Sequence, residues 1–219
     1  MTKRQMGLVF VVVGAVLIVS ALLLLCYNTI EAKNAGDVSS EVLSSLHDVI
    51  AHPVQAETIP GETLEEFFPT EEADVLTEPE VLESVEIDGY RYIGYLSIPA
   101  AELELPVMNQ ISEDRLHKAP CLETGSPITD DCVIAGHNYK YHFLPLHNIQ
   151  EGEKVTFTYM NGYVVEYAVS LRTIVDPEDI PAVHDSEHDL VMYTCTSSGA
   201  NRVAVYCDRV AASEDPSAS

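Results

Sequence analysis

The sequence predicts a mostly-β domain, closed into a barrel with a few short helices and preceded by one transmembrane helix. Three observations carry this. Residues 7–27 are almost wholly apolar, Asn161-Gly162 separates two alternating stretches, and Cys132–Ala135 and Leu190–Tyr193 are short runs of unbroken apolar character. The first is long enough to cross a hydrocarbon core of ~30 Å as a helix. The second is the strongest short hairpin signal. The third suits interior strands buried on both faces.

Lys3 and Arg4 precede the apolar run, and Glu31 is the first charge after it. The positive-inside bias therefore keeps residues 1–6 cytoplasmic and exports the chain beyond residues 7–27. The run exceeds the ~7–15 residues of a signal-peptide core and no small-x-small site comes after it, which favours an uncleaved anchor. Leu25 stands before Cys26 where lipoprotein processing wants a small residue, so Cys26 reads as an inert membrane residue.

Residues 28–88 read as an acidic linker, with sixteen Asp or Glu against Lys33 alone over 31–88. Such sequence repels itself and buries too little apolar surface to fold alone. Val38, Val42, Leu46 and Val49–Ile50 recur at near-helical spacing behind Asp37 as an N-cap, predicting a short amphipathic helix that packs on the membrane surface or the domain. The run from Glu62 to Glu86 lacks ordered calcium-ligand spacing and reads as a solvated spacer.

Residues 89–210 are one domain by length, and 211–219 a disordered tail. The net charge of −24 argues against nucleic acid or anionic lipid as partner. Tyr92–Ile98 is an aromatic and β-branched strand, and Leu103–Met108 contains Pro106, which suits an edge. Residues 112–118 are the candidate helix. Glu153–Met160 and Tyr163–Ser170 form the Asn-Gly hairpin, and Arg202–Cys207 finishes the fold.

Cys195 directly follows an apolar strand, in a rim of Thr194, Thr196, Ser197 and Ser198, and Gly199-Ala200 permits a turn before Arg202. An antiparallel pairing brings that guanidinium beside the thiol. His137 likewise ends its own strand. A thiol attacks acyl carbon as the thiolate, aided by a neighbouring base and by donors for the oxyanion. The competing reading is a small core hydrophobe, the usual role of a lone strand cysteine.

The segment from Tyr92 to Arg209 resembles a sortase, the membrane-anchored cysteine transpeptidase of bacterial surfaces. The resemblance rests on Gly94-Tyr95-Leu96-Ser97-Ile98-Pro99, Leu105-Pro106-Val107, Val133-Ile134-Ala135-Gly136-His137, Phe143-Leu144-Pro145-Leu146 with Glu151-Gly152-Glu153, Tyr193-Thr194-Cys195 and Asn201-Arg202-Val203. Two departures stand out. Val191-Met192 replaces the Thr-Leu that opens the family's cysteine signature, and Gly152-Glu153 replaces Gly-Asp. Both strand positions are interior, and neither change should abolish activity.

The resemblance implies that Cys195 attacks the Thr-Gly bond of a Leu-Pro-x-Thr-Gly-like sorting signal. A thioacyl enzyme forms, and an amine on a peptidoglycan precursor or a pilin-like acceptor resolves it. His137 handles protons, and Arg202 holds substrate and oxyanion through its planar fork. Thr194 and the backbone around Thr196 are further oxyanion candidates. The implied partners are surface proteins bearing C-terminal sorting signals, at the outer face of a Gram-positive-type membrane. By elimination the subtype is class A- or D-like: the connection from Leu171 to Asp189 is short, no second membrane segment follows Arg209, and no Asp-Pro-aromatic lid is present. The alternatives are a catalytically inert tethered β-domain and a cysteine hydrolase using water.

No cofactor and no metal is expected. His184 and His188 have i, i+4 spacing but read as part of a solvated connection. His142 and His147 lie in the loop after His137, with His142 a weaker alternative base. Cys121 and Cys132 flank a turn at Gly125-Ser126-Pro127 and are the pair a disulfide would join; reduced buried thiols are the alternative.

Overall fold

The computed structural model describes residues 3–52 and 76–211. The middle of the acidic linker, the greater part of the acidic run from Glu62 to Glu86 and nearly all of the tail lie outside the described residues. Among the described residues the elements are α1 (Lys3–Ala51), β1 (Val85–Ile87), β2 (Tyr90–Ile98), β3 (Leu103–Met108), α2 (Glu113–Leu116), β4 (Cys121–Thr124) and β5 (Cys132–Ala135). β6 (Lys154–Tyr159), β7 (Val164–Val175), α3 (Ile180–His184), β8 (Leu190–Cys195) and β9 (Arg202–Arg209) follow, with short 3-10 turns at Pro99–Ala101 and Leu144–Asn148.

Neighbouring strands run β2-β3-β4-β5-β8-β9-β7-β6, and β6 pairs back onto β2 from Gly94↔Tyr159 to Ser97↔Thr156. This closes an eight-stranded barrel, with β1 as an extra partner on β2. Closure removes the exposed strand edges that an open sheet would have to protect. Leu96, Ile134, Phe157, Tyr167, Met192 and Val205 fill the interior. Side chains alternate across each strand, so Val133, Val191, Ala204 and Tyr206 point outward instead. They form a second apolar cluster beneath Val183 of α3. That cover explains why β5 and β8, a parallel pair, are apolar on both faces.

Pro106 is not on a sheet edge in the ordinary sense, since β3 lies between β2 and β4. Yet β4 meets β3 only at Met108↔Cys121, so Pro106 can lack an N–H without losing a ladder bond. α1 covers this open side, with His47 Nε2 3.4 Å from Glu104 Oε1 and its ring edge-on to Tyr95.

The membrane run and the amphipathic stretch are one continuous helix, which corrects two expectations. There is no structural break after residue 27, and Asp37 lies mid-helix and does not cap a separate one. The reason is local: after the apolar run the first proline is Pro53, and the helix stops just before it. Exposed apolar side chains extend from Phe10 to Ile30, and among the described residues this is the one helix long and apolar enough to cross a membrane. Beyond it, Ala35, Ser39, Val42 and Leu46 form a buried stripe. Val42 and Leu46 pack on Tyr92, Met108, Ala119 and Cys121, so the amphipathic stretch docks on the domain.

The folded unit also begins earlier than residue 89. β1 precedes it, and Glu78 accepts hydrogen bonds from Tyr159 Oη at 3.0 Å and Arg209 Nη2 at 2.5 Å. Cys121 and Cys132 are free. They face different apolar clusters, and burial pushes the Cys121 thiol up to about 12.

Candidate active site

Three adjacent strands deliver the predicted residues to one end of the barrel. Cys195, the last residue of β8, is directly opposite Arg202, the first of β9. On the other side of β8, Ala135 of β5 pairs with Tyr193, and the Gly136 N–H donates to the Tyr193 carbonyl at 3.1 Å. His137 and Cys195 thus each lie two residues beyond the same cross-strand pair. By alternation Cys195 and Arg202 follow the outward set of Val191 and Ala204. These two therefore lie on the outer face near one rim.

The turn at Gly136 has a steric cause. A Cβ there would lie 2.5 Å from the ring of Phe143, which is fully buried. The Phe143 N–H in turn donates to the His137 carbonyl at 3.1 Å, folding the loop back under the histidine. Burial, and secondarily the charge of His117, hold the His137 imidazole below its ordinary pKa. His137 is consequently neutral near pH 7, and its Nε2 is buried with no hydrogen-bond partner.

Arg202 donates only long bonds of 3.4 Å to the Gly199 and Asn201 carbonyls, and among the described residues it has no carboxylate partner. Its fork is free to take an oxygen ligand. It borders a cavity of about 240 Å³ whose other walls include Glu123, Ile180, Val183, His184 and Tyr193. There the Tyr193 hydroxyl donates to Glu123 Oε2 at 2.6 Å, and His184 Nε2 lies 3.3 Å from the same oxygen. His147 Nε2 donates to the Cys195 carbonyl at 3.1 Å and so fixes the backbone that carries the thiol.

The structure separates other predicted residues from this arrangement. Thr194 alternates inward with Met192, and its buried hydroxyl has no partner. It faces away from Cys195. The Thr196 N–H donates to the Asn201 carbonyl at 2.9 Å, and its hydroxyl accepts from the Asn201 N–H at 3.2 Å, so that amide is engaged in the turn. His142 is fully buried under α1, 3.3 Å from Ser39 Oγ, and burial lowers its pKa to about 4. It cannot meet a substrate. His184 and His188 are not freely solvated: His188 Nδ1 lies 2.7 Å from Asp208 Oδ1, as His184 does near Glu123.

Sequence reasoning missed Glu123, His117 and Glu31, and it named His147 without giving it a role. His147 lay in a region already considered, but nothing local marks its reach across 48 positions to Cys195. Glu31 reads as one linker acid among sixteen.

The site is thus a closed eight-stranded barrel with Cys195, His137 and Arg202 at the ends of adjacent strands. A family model for the sortase domain matches residues 96–210, more than half of the chain, and the chain belongs to the sortase family, whose members are cysteine transpeptidases. It is 28% identical over 134 residues to sortase A of Bacillus anthracis, covering 58% of this chain and 63% of the relative. Among solved structures it is similar to sortase A from Corynebacterium diphtheriae, with 25% identity, TM-score 0.51, and 58% and 64% of the two chains covered. It is also similar to sortase C1 from Streptococcus agalactiae, with 25% identity, TM-score 0.52, and 58% and 72% covered. The chain spans less than two thirds of the length of the first two relatives.

Proposed function

We propose that this chain is a membrane-anchored transpeptidase whose Cys195, His137 and Arg202 cleave a Leu-Pro-x-Thr-Gly-like sorting signal at Thr-Gly and pass the acyl group to an amine. The observation that carries this reading is the register: Cys195 opposite Arg202, and His137 equally far beyond the Ala135–Tyr193 pair. The Cys195 thiol gives its proton to neutral His137 as the sulfur adds to the threonine carbonyl carbon, and Arg202 stabilises the oxygen as it becomes negative. A directed donor to a developing oxyanion is worth about 10²–10³ in rate. Collapse of the tetrahedral adduct breaks the Thr-Gly bond, and the glycine amine leaves with a proton supplied through His137. The incoming amine then attacks the thioester and gives a proton to neutral His137. The peptide N-terminal to the scissile bond occupies the cavity beside Arg202, where Ile180 and Val183 suit its apolar residues.

The N-terminus is cytoplasmic and the barrel extracellular in this reading. Glu31 comes directly after the exposed apolar segment that ends at Ile30, and it contacts His117, whose ring is 4.7 Å from that of His137. Such an arrangement holds the reaction centre at the membrane surface, within reach of a lipid-borne peptidoglycan precursor as amine donor. Sorting-signal proteins, themselves membrane-tethered before cleavage, arrive in the same plane.

The test uses the full chain in detergent with a fluorogenic sorting-signal peptide, with and without an amine. Cys195→Ala should abolish cleavage and transfer, since no thioester can form. Arg202→Lys keeps the charge but loses the fork and should cost about 10²–10³-fold. His137→Ala should be comparably severe. Activity surviving Cys195→Ala would overturn the assignment, and release to water unchanged by amine would make the enzyme a hydrolase.

A further inference from the structure

The sequence offers His184 and His188 as its one metal-like spacing, but the fold gives each to a carboxylate of another element. It brings two different histidines together. The rings of His117 and His137, twenty residues apart in the chain, lie with centroids 4.7 Å apart. Glu113 sits one turn before His117, its Oε1 3.5 Å from His117 Nε2. One ligand atom from each of Glu113, His117 and His137 lies within 4.8 Å of the others. We propose that these three residues bind a divalent transition metal, zinc by ligand type, and that its binding withdraws His137 from the reaction.

The donor chemistry fits. Two imidazoles and a carboxylate with open positions form a three-ligand zinc set, and imidazole is a ligand for zinc, copper and nickel in preference to calcium or magnesium. Zinc-bound histidine characteristically gives its second nitrogen to a carboxylate, which fixes the tautomer. His117 has that partner: its Nδ1 lies 3.1 Å from Glu31 Oε1, with the Tyr139 hydroxyl 3.0 Å from the same nitrogen. His117 Nε2 is thereby left to face Glu113 and the metal. His137 Nε2 is buried without a hydrogen-bond partner, an unmet requirement that coordination would satisfy. Glu31 and Glu113 together offset the charge of a divalent cation.

Metal coordination uses the lone pair with which His137 would accept a proton from the amine. An occupied site is an inhibited enzyme. Glu31 belongs to α1 at the membrane-proximal end of the docked stripe, so metal affinity depends on the helix staying seated against the barrel. The consequence for activity rests on His137 acting as proposed above, whereas binding itself does not.

The experiment titrates chelator-stripped full chain in detergent with Co²⁺, read by its d–d absorption, and then with Zn²⁺ in competition. A 1:1 tetrahedral cobalt spectrum displaced by zinc is expected. His117→Ala should abolish it, and Glu31→Gln should weaken zinc binding about 10–100-fold. If His117→Ala fails to fold by circular dichroism, Glu113→Gln, a mostly exposed side chain, carries the same test. Zinc should slow peptide cleavage with the binding midpoint, and Glu31→Gln, normalised to its own metal-free rate, should shift both midpoints by one factor. Binding unchanged in the variants would place the metal on linker acids and overturn the site. A thiolate-to-cobalt band lost in Cys195→Ala would overturn the ligand set. Binding without inhibition would overturn the regulatory role. A chain inactive on every peptide yet showing the cobalt spectrum would sink the transpeptidase reading and leave the site standing.

Discussion

Gly136 immediately precedes His137, and replacing it with alanine tests how the histidine is positioned. An added Cβ would meet the Phe143 ring at 2.5, 2.8 and 3.0 Å, about an ångström inside ordinary contact. Phe143 is fully buried among the barrel-filling side chains, so it cannot swing into solvent. Either the ring or the end of β5 must move. Overpacking of this kind costs about 1–3 kcal/mol, from which about 0.4–1 kcal/mol is recovered because alanine restricts the unfolded chain. The net loss of about 1–2 kcal/mol should lower Tm by several degrees, taking roughly 3–5 °C per kcal/mol for a domain of this size. Activity should fall further than stability, because a 1 Å displacement of a reacting group costs up to about 10²-fold. The assay is thermal unfolding by circular dichroism alongside kcat/KM on the sorting-signal peptide. Gly136→Ala combined with Phe143→Leu should recover part of both losses. A Tm and a kcat/KM for Gly136→Ala equal to the parent chain would refute the close-approach argument.

The remaining predictions rest on burial. Thr194→Val replaces an unpartnered buried hydroxyl with an isosteric methyl and should leave activity intact with equal or higher Tm; a 10²-fold activity loss would return Thr194 to the oxyanion site. The His142 pKa is depressed from 6.5 to about 4, so the stability of its neutral form is fully present above pH 6.5 and is lost as pH falls through 4. That amounts to about 3 kcal/mol, and chemical denaturation of His142→Gln across this window should show a correspondingly shallower acid slope. A chain lacking residues 1–52 should lose about 3–6 kcal/mol in urea unfolding in the same detergent, from uncovering the Val42 and Leu46 contacts; unchanged stability would mean α1 does not dock. In thiol labelling of the native chain, partly exposed Cys195 should react well before Cys121, Cys132 and Cys207, which are fully buried with pKa values raised by burial; equal rates would contradict this packing.

The strands were legible in the sequence because their signals are local. Asn161-Gly162 forms its turn from backbone preference alone, and Cys132–Ala135 and Leu190–Cys195 declare by unbroken apolar character that they are covered on both faces. Cys195 and Arg202 could be paired in advance because the short turn between them leaves an antiparallel register as the natural outcome. His137 was legible as the end of a strand, although its neighbours were not.

What only the tertiary structure decided is where non-adjacent surfaces meet. Pro53 marks the end of α1 in sequence, but that the helix runs unbroken from the apolar span into a stripe seated on β3 depends on an apolar patch assembled from Tyr92, Met108, Ala119 and Cys121. Thr194 looks like a neighbour of Cys195 in the chain and faces the opposite side of the sheet, because alternation separates what sequence adjoins. Glu31, Glu113, His117 and His137 come from separate places in the chain and share one small volume. No periodicity records such an encounter, since it is fixed by the packing of a helix against a closed barrel and not by the local preferences of any one segment.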